Sequence, residues 1–296
     1  MAIDKKKYEF GRHETFGLRD GWLSRGSARL VEGNFKVDVD TADALGLGRN
    51  MVKSLSFWLE ASGLALRSEG KGAGLSPTEF ASLQKTLDPY FEYALSTWLV
   101  HLFLSRREAT VWNWFFNDFR SGTFDREDSI EAFHRHVRQN APNQTTPTVL
   151  AREIACLLDT YATAPANEAI DPEDNRISPL RSLRLLVKHH DTGRYEKASP
   201  IDRIPVEAFL ACVRLVCDDI QSPSIPLSDL ISRRDSPARL FNIDGDTINA
   251  LAHQAEEIYS NEGVRLTLLG STRTFTVPDI TPLEWYVRHF DRIARR

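Results

Sequence analysis

The densest polar constellation in the chain lies near its start, where Arg12, His13 and Glu14 run together and Arg19 follows. An imidazole titrates near neutral pH and can pass a proton in either direction. Arginine forks hold a phosphate through paired N–H donors. The same residues also suit an ordering role, with Glu14 pairing with Arg12 or Arg19 and His13 finishing a turn. Both readings stay open here: His13 and Glu14 are the candidates for catalysis, Arg12 and Arg19 for phosphate binding. A second cluster, Lys188-His189-His190-Asp191, has metal-ligating residue types. His134 and His136 alternate, so on a helix they diverge, whereas a shared metal needs neighbours three or four residues apart. They read as a solvated face, and His101, in an apolar stretch, reads as a core histidine.

Several chemistries lack their signatures. No glycine-rich loop ends in Gly-Lys-Ser/Thr, so no nucleotide cofactor is expected. No Gly-x-Ser-x-Gly elbow is present, and neither a Pro-Asp…Glu-x-Lys core nor a His-Asn-His finger is visible. Cys156, Cys212 and Cys217 are too loosely spaced for a zinc quartet and read as buried thiols.

The 296 residues suit two or three compact units, and 42% hydrophobic with 26% charged residues is a globular mixture. With a net charge of −4, the chain cannot coat nucleic acid by overall charge; any such contact must come from local patches. The opening Met-Ala-Ile-Asp-Lys-Lys-Lys has no apolar core behind it, so a secretory signal is not expected. No run of about 18 apolar residues is present, so no membrane span is expected. A cytoplasmic location follows.

The elements that must position these groups read as mainly α. Asp40 or Thr41 can cap a short helix to Leu45, Gly46-Leu47-Gly48 makes a turn, and a second helix runs from Arg49 to Ser62, ended by Gly63. Val52, Leu55 and Leu59 form its inner face. A strand at 64–66 follows, then the glycine-rich stretch 68–74, then a helix with Ser76 as cap and Pro77 at its first position. Short helix, turn, helix, strand and glycine loop is the order of a winged helix-turn-helix. In such a unit the second helix enters a major groove about 12 Å wide and the wing reaches phosphates. The DNA-contacting candidates are therefore Arg49, Asn50, Lys53 and Ser54 on the helix and Lys71 on the wing.

The aromatic stretch 88–120 reads as helical core, with a stacking platform for unpaired bases as its alternative. Two helices are expected at 129–140 and 148–161. After an Asp/Glu/Pro-rich linker come helices at 180–188, 205–220 and 227–232, an extended piece after Ser236, and a helix capped by Asp244. A hairpin around Gly270-Ser271-Thr272 and a last helix from Pro282 complete the chain. The expected domains are a winged helix-turn-helix at 1–94, a helical middle at 95–165, and an α+β, winged-helix-like unit with a β-hairpin at 166–296.

The blocks Phe10-Gly11-Arg12-His13-Glu14-Thr15-Phe16, Leu18-Arg19, Gly21-Trp22-Leu23 and Leu45–Lys53 resemble an SspB-like bacterial domain family of DNA phosphorothioation (Dnd/Ssp) defence loci. Trp112–Asn117, Ser178-Pro179-Leu180 and Asp235–Phe241 extend the resemblance over nearly the whole chain. It implies a DNA-binding component of an anti-phage system that replaces a non-bridging phosphate oxygen with sulfur, and a nick that opens one strand for that chemistry. It implies as partners DNA, a cysteine desulfurase and a sulfurtransferase of the PAPS-reductase type. Since most nucleases work with divalent cations, Mg²⁺ or Mn²⁺ is the expected cofactor. The resemblance assigns no catalytic set. Two rivals stand beside it: a non-enzymatic adaptor that recruits the sulfur-transfer machinery, and a transcriptional regulator.

Overall fold

The structure is a computed structural model that describes residues 7–33, 35–67, 74–143, 145–165, 178–200, 204–270 and 272–295. It is mainly helical with three small sheets. The chain forms two compact units, one of residues 1–92 with 103–198, the other of 93–102 with 199–296.

The first unit opens with α1 (Trp22–Val31), α2 (Val39–Leu45) and α3 (Arg49–Ala61). Asp38 caps α2 by accepting from the Thr41 backbone, two residues before the expected cap. Gly46, at φ 64°, takes the left-handed turn between α2 and α3 as expected. Gly26 of α1 has no side chain to keep α3 away; a Cβ there would lie 3.1 Å from the Leu55 and Leu59 methyls. That close crossing buries Trp22, Leu23 and Leu30 of α1 against Val52, Leu55 and Leu59 of α3. β1 (Ala65–Arg67) then pairs antiparallel with β2 (Leu75–Pro77), Ala65 opposite Pro77. The Ser76–Pro77 helix start is thereby corrected: both residues belong to β2, and Thr78 caps α4 (Glu79–Leu87) instead.

Residues 88–93 are not helical; Phe91 sits at φ 57°, and Tyr90 is 75% exposed. α5 (Ala94–Arg106) begins only afterwards, and α6 (Val111–Asn117) is buried along its whole length. β3 (Thr123–Phe124), α7 (Arg126–Asn140), α8 (Pro147–Tyr161) and β4 (Ala162–Thr163) follow. The helix expected at 180–188 is instead a 3₁₀ turn, Pro179–Leu183, followed by β5 (Leu186–Lys188) and β6 (Tyr195–Lys197). Arg184 in the left-handed region breaks the helical path. β5 is recruited by β4 on one side, in parallel, and by β6 on the other, so the four strands run in the order β3-β6-β5-β4.

The second unit holds α9 (Val206–Asp219), α10 (Leu227–Ser232), α11 (Pro237–Leu240), α12 (Gly245–Tyr259) and α13 (Pro282–Ala294). Its sheet places β7 (Ser224–Pro226) beside β9 (Thr272–Thr276), which pairs with β8 (Arg265–Leu269) around the expected Gly270 turn. Asp244 caps α12 as expected, and a reciprocal Thr281–Glu284 box caps α13. Ser236 leads into the short α11 and not into an extended piece. His101 is wholly buried in this unit, its Nε2 2.8 Å from the Leu240 carbonyl oxygen, and burial holds its pKa down to about 4. It is a core histidine.

Candidate active site

Residues 8–16 form a strap over α3 and α8. The strap is short of helix formers and turns twice: the Glu14 N–H donates to Gly11 O at 3.0 Å, and the Phe16 N–H to His13 O at 2.8 Å. Gly11, Glu14 and Thr15 all have positive φ, 75°, 49° and 68°. For Glu14 and Thr15 this conformation costs of order 1–2 kcal/mol each and persists only where the surroundings impose it. They do so from several sides. Asn143 bonds both the N–H and the carbonyl of Tyr8, at 3.0 and 3.1 Å. The Trp58 indole donates to Phe16 O at 3.1 Å, and Glu153 of α8 accepts from the Gly11 N–H at 2.6 Å.

The turns drive His13 into the interior, where it is 1% exposed. Its ring meets Phe57 and Trp112 edge-on, each with centroids 6.2 Å away. Nε2 lies 3.2 Å from Glu153 Oε1, itself on a buried side chain, but off hydrogen-bond alignment. Nδ1 is buried with no hydrogen-bond partner. An imidazole with neither nitrogen well satisfied is expensive to bury. Beside it lies a cavity of about 340 Å³ lined by Gly11, His13, Glu14, Asn50, Arg152 and Glu153. Glu14 also lines a second, wider cavity of about 990 Å³, together with Phe10, Arg12, Lys53 and Arg67.

The expected site residues separate into three groups. His13, Glu14, Asn50 and Lys53 come together around these cavities, with the Lys53 Nζ 3.8 Å from Glu14. Arg49 is exposed on the same first turn of α3. Arg12 reaches the wide cavity but is engaged by acids: it bonds Glu60 at 2.9 and 3.2 Å and Glu9 at 2.5 Å. Arg67 and Arg107 converge on the same Glu60 at 3.0 and 2.6 Å. Burial alone would raise the Glu60 carboxyl, but the hydrogen bonds and charges of Arg12 and Arg107 override it and hold its pKa at about 2. Arg19 instead lies over the Phe16 and Trp22 rings, 5.5 and 5.7 Å from their centroids. Ser54 is the clear correction: at 0% exposure it faces the interior of α3 and cannot touch DNA. Lys71 and its glycine loop lie outside the described residues.

From Ser54 through Leu59, α3 is buried without a break, and the strap covers Glu60 through Arg12. The first turn of the helix and Lys53, 46% exposed, are what it presents outward. The Lys188–Asp191 cluster makes a surface turn in which His189 Nε2 meets Glu196 Oε2 at 2.8 Å. His136 contacts the Tyr8 hydroxyl at 2.9 Å. Among the described residues, no three His, Cys, Asp or Glu side chains converge as a metal-ligand set. Cys156, Cys212 and Cys217 are buried and in no disulfide, and burial pushes the Cys156 thiol up.

Against known proteins, residues 10–273 match the family described as a protein of unknown function, DUF4007. The chain belongs to the DUF4007 family. Two solved structures share the DUF4007 protein's fold: a magnesium ion-bound SspB crystal structure, with a TM-score of 0.82 at 23% identity, and an SspB crystal structure, with 0.80 at 22%. Each covers 99% of this chain and 91% of its own. No curated protein matches by sequence. The DUF4007 site holds two residues that the local sequence gave little reason to single out, Glu153 and Arg152. The available signal was a carboxylate on the apolar stripe of α8, three residues after Leu150 and four before Leu157.

Proposed function

We propose that this protein is a DNA-engaging component of a bacterial phosphorothioate-modification system that opens one strand for sulfur incorporation. The observation that carries the reading is the unsatisfied, buried His13 at a cavity rimmed by Asn50 and Arg152. An acid–base group sits beside side chains suited to a phosphodiester. The resemblance of the strap and α3 blocks to phosphorothioation proteins and the fold shared with SspB support it. Arg49, Asn50 and Lys53 serve as the backbone contacts, with sulfurtransferase and cysteine desulfurase components as partners in the cytoplasm. Among the described residues, no helix is long and apolar enough to cross a membrane.

Both units have a winged-helix order of elements on this reading. In the second, α9, β7, α10, α12 and the β8–β9 hairpin follow one another as helix, strand, helix, helix and wing. In the first, the buried stretch Ser54–Leu59 restricts α3 to contacts from its first turn and Lys53, which suits backbone engagement better than deep reading of a major groove. Among the described residues, no His, Cys, Asp or Glu side chains make a dedicated divalent site. A magnesium or manganese ion at this site would be held largely through water and substrate phosphates.

The test is a supercoiled-plasmid assay with the pure full-length chain, titrated with Mg²⁺ and with Mn²⁺. Nicking that disappears in His13→Gln supports the reading, whereas its absence in every condition refutes cleavage. In binding assays, Arg49→Ala and Lys53→Ala should each weaken affinity across all sequences and lower the salt slope by about 1. Unchanged affinity in both would remove the first turn of α3 from the interface. A second reading, a non-enzymatic adaptor carrying sulfur-transfer proteins to DNA, is favoured by the near-complete burial of His13. It expects binding without nicking.

A further inference from the structure

We infer that Glu153, and not the adjacent Glu14, is the carboxylate that positions His13, and that the two form an acid–base dyad facing the 340 Å³ cavity. This rests on the strand-opening function proposed above. The geometry separates the two carboxylates. Glu153 is 3% exposed, its Oε1 3.2 Å from His13 Nε2, and it is fixed in place by the Gly11 N–H. Glu14 turns the other way, 35% exposed and leaning on Lys53. The left-handed backbone at Glu14 and Thr15 follows directly after His13. That local strain is offset by what it achieves: the imidazole is driven inward onto α8.

Among the charged groups around the dyad, Glu153 is the near one. Arg152 comes from the same turn of α8 and lines the cavity. Arg12 and Glu14 flank His13 on the strap, and Arg12 is engaged by Glu9 and Glu60. Lys53 is the charge from α3, set against Glu14, while Phe57 and Trp112 contribute uncharged ring edges. A carboxylate at one ring nitrogen orients an imidazole and stabilises its charged form, leaving the other nitrogen for the reaction. Here that other nitrogen is Nδ1, buried without a hydrogen-bond partner, while Nε2 faces Glu153 at ion-pair distance, off hydrogen-bond alignment.

A DNA phosphodiester lacks a neighbouring hydroxyl, so water must supply the nucleophile. His13 takes a proton from the water as its oxygen forms a new bond to phosphorus. The bond from phosphorus to one deoxyribose oxygen breaks, and that oxygen takes a proton back from the imidazolium. The products are a phosphomonoester and a sugar hydroxyl, with no oxidant or reductant consumed. Arg152 and Asn50, at the cavity, face the phosphate oxygens.

The experiment uses the full chain and its Glu153→Gln, Glu153→Asp and Glu14→Gln variants, with thermal melting to confirm folding. Plasmid nicking is followed under steady-state conditions, and the His13 ring is followed through the NMR shifts of its two nitrogens. Glu153→Gln should lower kcat by about 10²–10⁴ with KM little changed. It should also move the Nε2 resonance, which faces Glu153, more than the Nδ1 resonance. Glu153→Asp should restore part of both effects, and Glu14→Gln should leave the His13 ring resonances in place. Ring resonances unaffected by Glu153→Gln, or moved as far by Glu14→Gln, overturn the assignment. If the wild-type chain does not nick but its His13 resonances still follow Glu153, the pairing stands and the cleavage reading falls.

Discussion

Replacing Glu60 by glutamine separates the structural cost of the strap's ionic cluster from its effect on DNA. Arg12, Arg67 and Arg107 all meet Glu60, whose side chain is 12% exposed. A carboxyl held at about 2 against its ordinary 4.5 favours the charged state. At about 1.36 kcal/mol per pH unit this amounts to about 3 kcal/mol. Arg67 is 48% exposed, so solvent screens part of this, and about 2 kcal/mol is the working figure. The sign follows from a lowered carboxyl: the stabilisation is complete above pH 4.5 and is lost as the pH falls through 2. Urea denaturation of wild type and Glu60→Gln should therefore differ by about 2 kcal/mol at pH 7, and the difference should shrink below pH 4.5 and close only as the pH falls below 2. At the same time Glu60→Gln releases Arg12 and Arg67 at the wide cavity, so DNA binding at low salt should tighten several-fold. A stability gap that is the same at pH 7 and pH 3 would refute the electrostatic reasoning. Weaker DNA binding in the variant would refute the placement of the cavity at the interface.

Two further outcomes test the packing. Gly63→Ala should destabilise by about 2–4 kcal/mol in denaturant titration, because its φ of +76° penalises any side chain and a Cβ would lie 2.8 Å from the Phe103 ring. In the second unit, Glu207 is fully buried and bonded by Tyr259, His289 and Arg292. Burial would raise its pKa, yet the bonds from His289, Arg292 and Tyr259 hold it at about 2. Glu207→Gln should thus cost about 3–5 kcal/mol at neutral pH, with a shrinking penalty below pH 4.5.

The elements that could be read in advance are those whose signals are local. Val206–Asp219 is apolar over four turns, Asp244 is a cap with its helix directly behind it, and Gly270 separates two alternating strands. The misread elements depend on distant partners. Leu75–Pro77 is a strand because β1 pairs with it, and Leu186–Lys188 because β4 and β6 flank it. The site divides the same way. His13 stood out by residue type and neighbours, but its partner Glu153 is 140 residues away, on α8. Ser54 looked like part of a polar edge, yet it lies wholly buried in the fold.

The short bridge of chain ahead of α1 also has an obligation to the helices beneath it. Gly11 offers its amide to Glu153, and Arg12 its guanidinium to Glu60, two acids that sit far apart in the sequence within otherwise apolar helix faces. Removing residues 7–12 would take away both contacts at once: Glu153 would lose the Gly11 amide inside the fold, and Glu60 would keep only Arg67 and Arg107. Residues 7–12 therefore help to hold the first unit together, and a truncation through them would disturb α3 and α8 together.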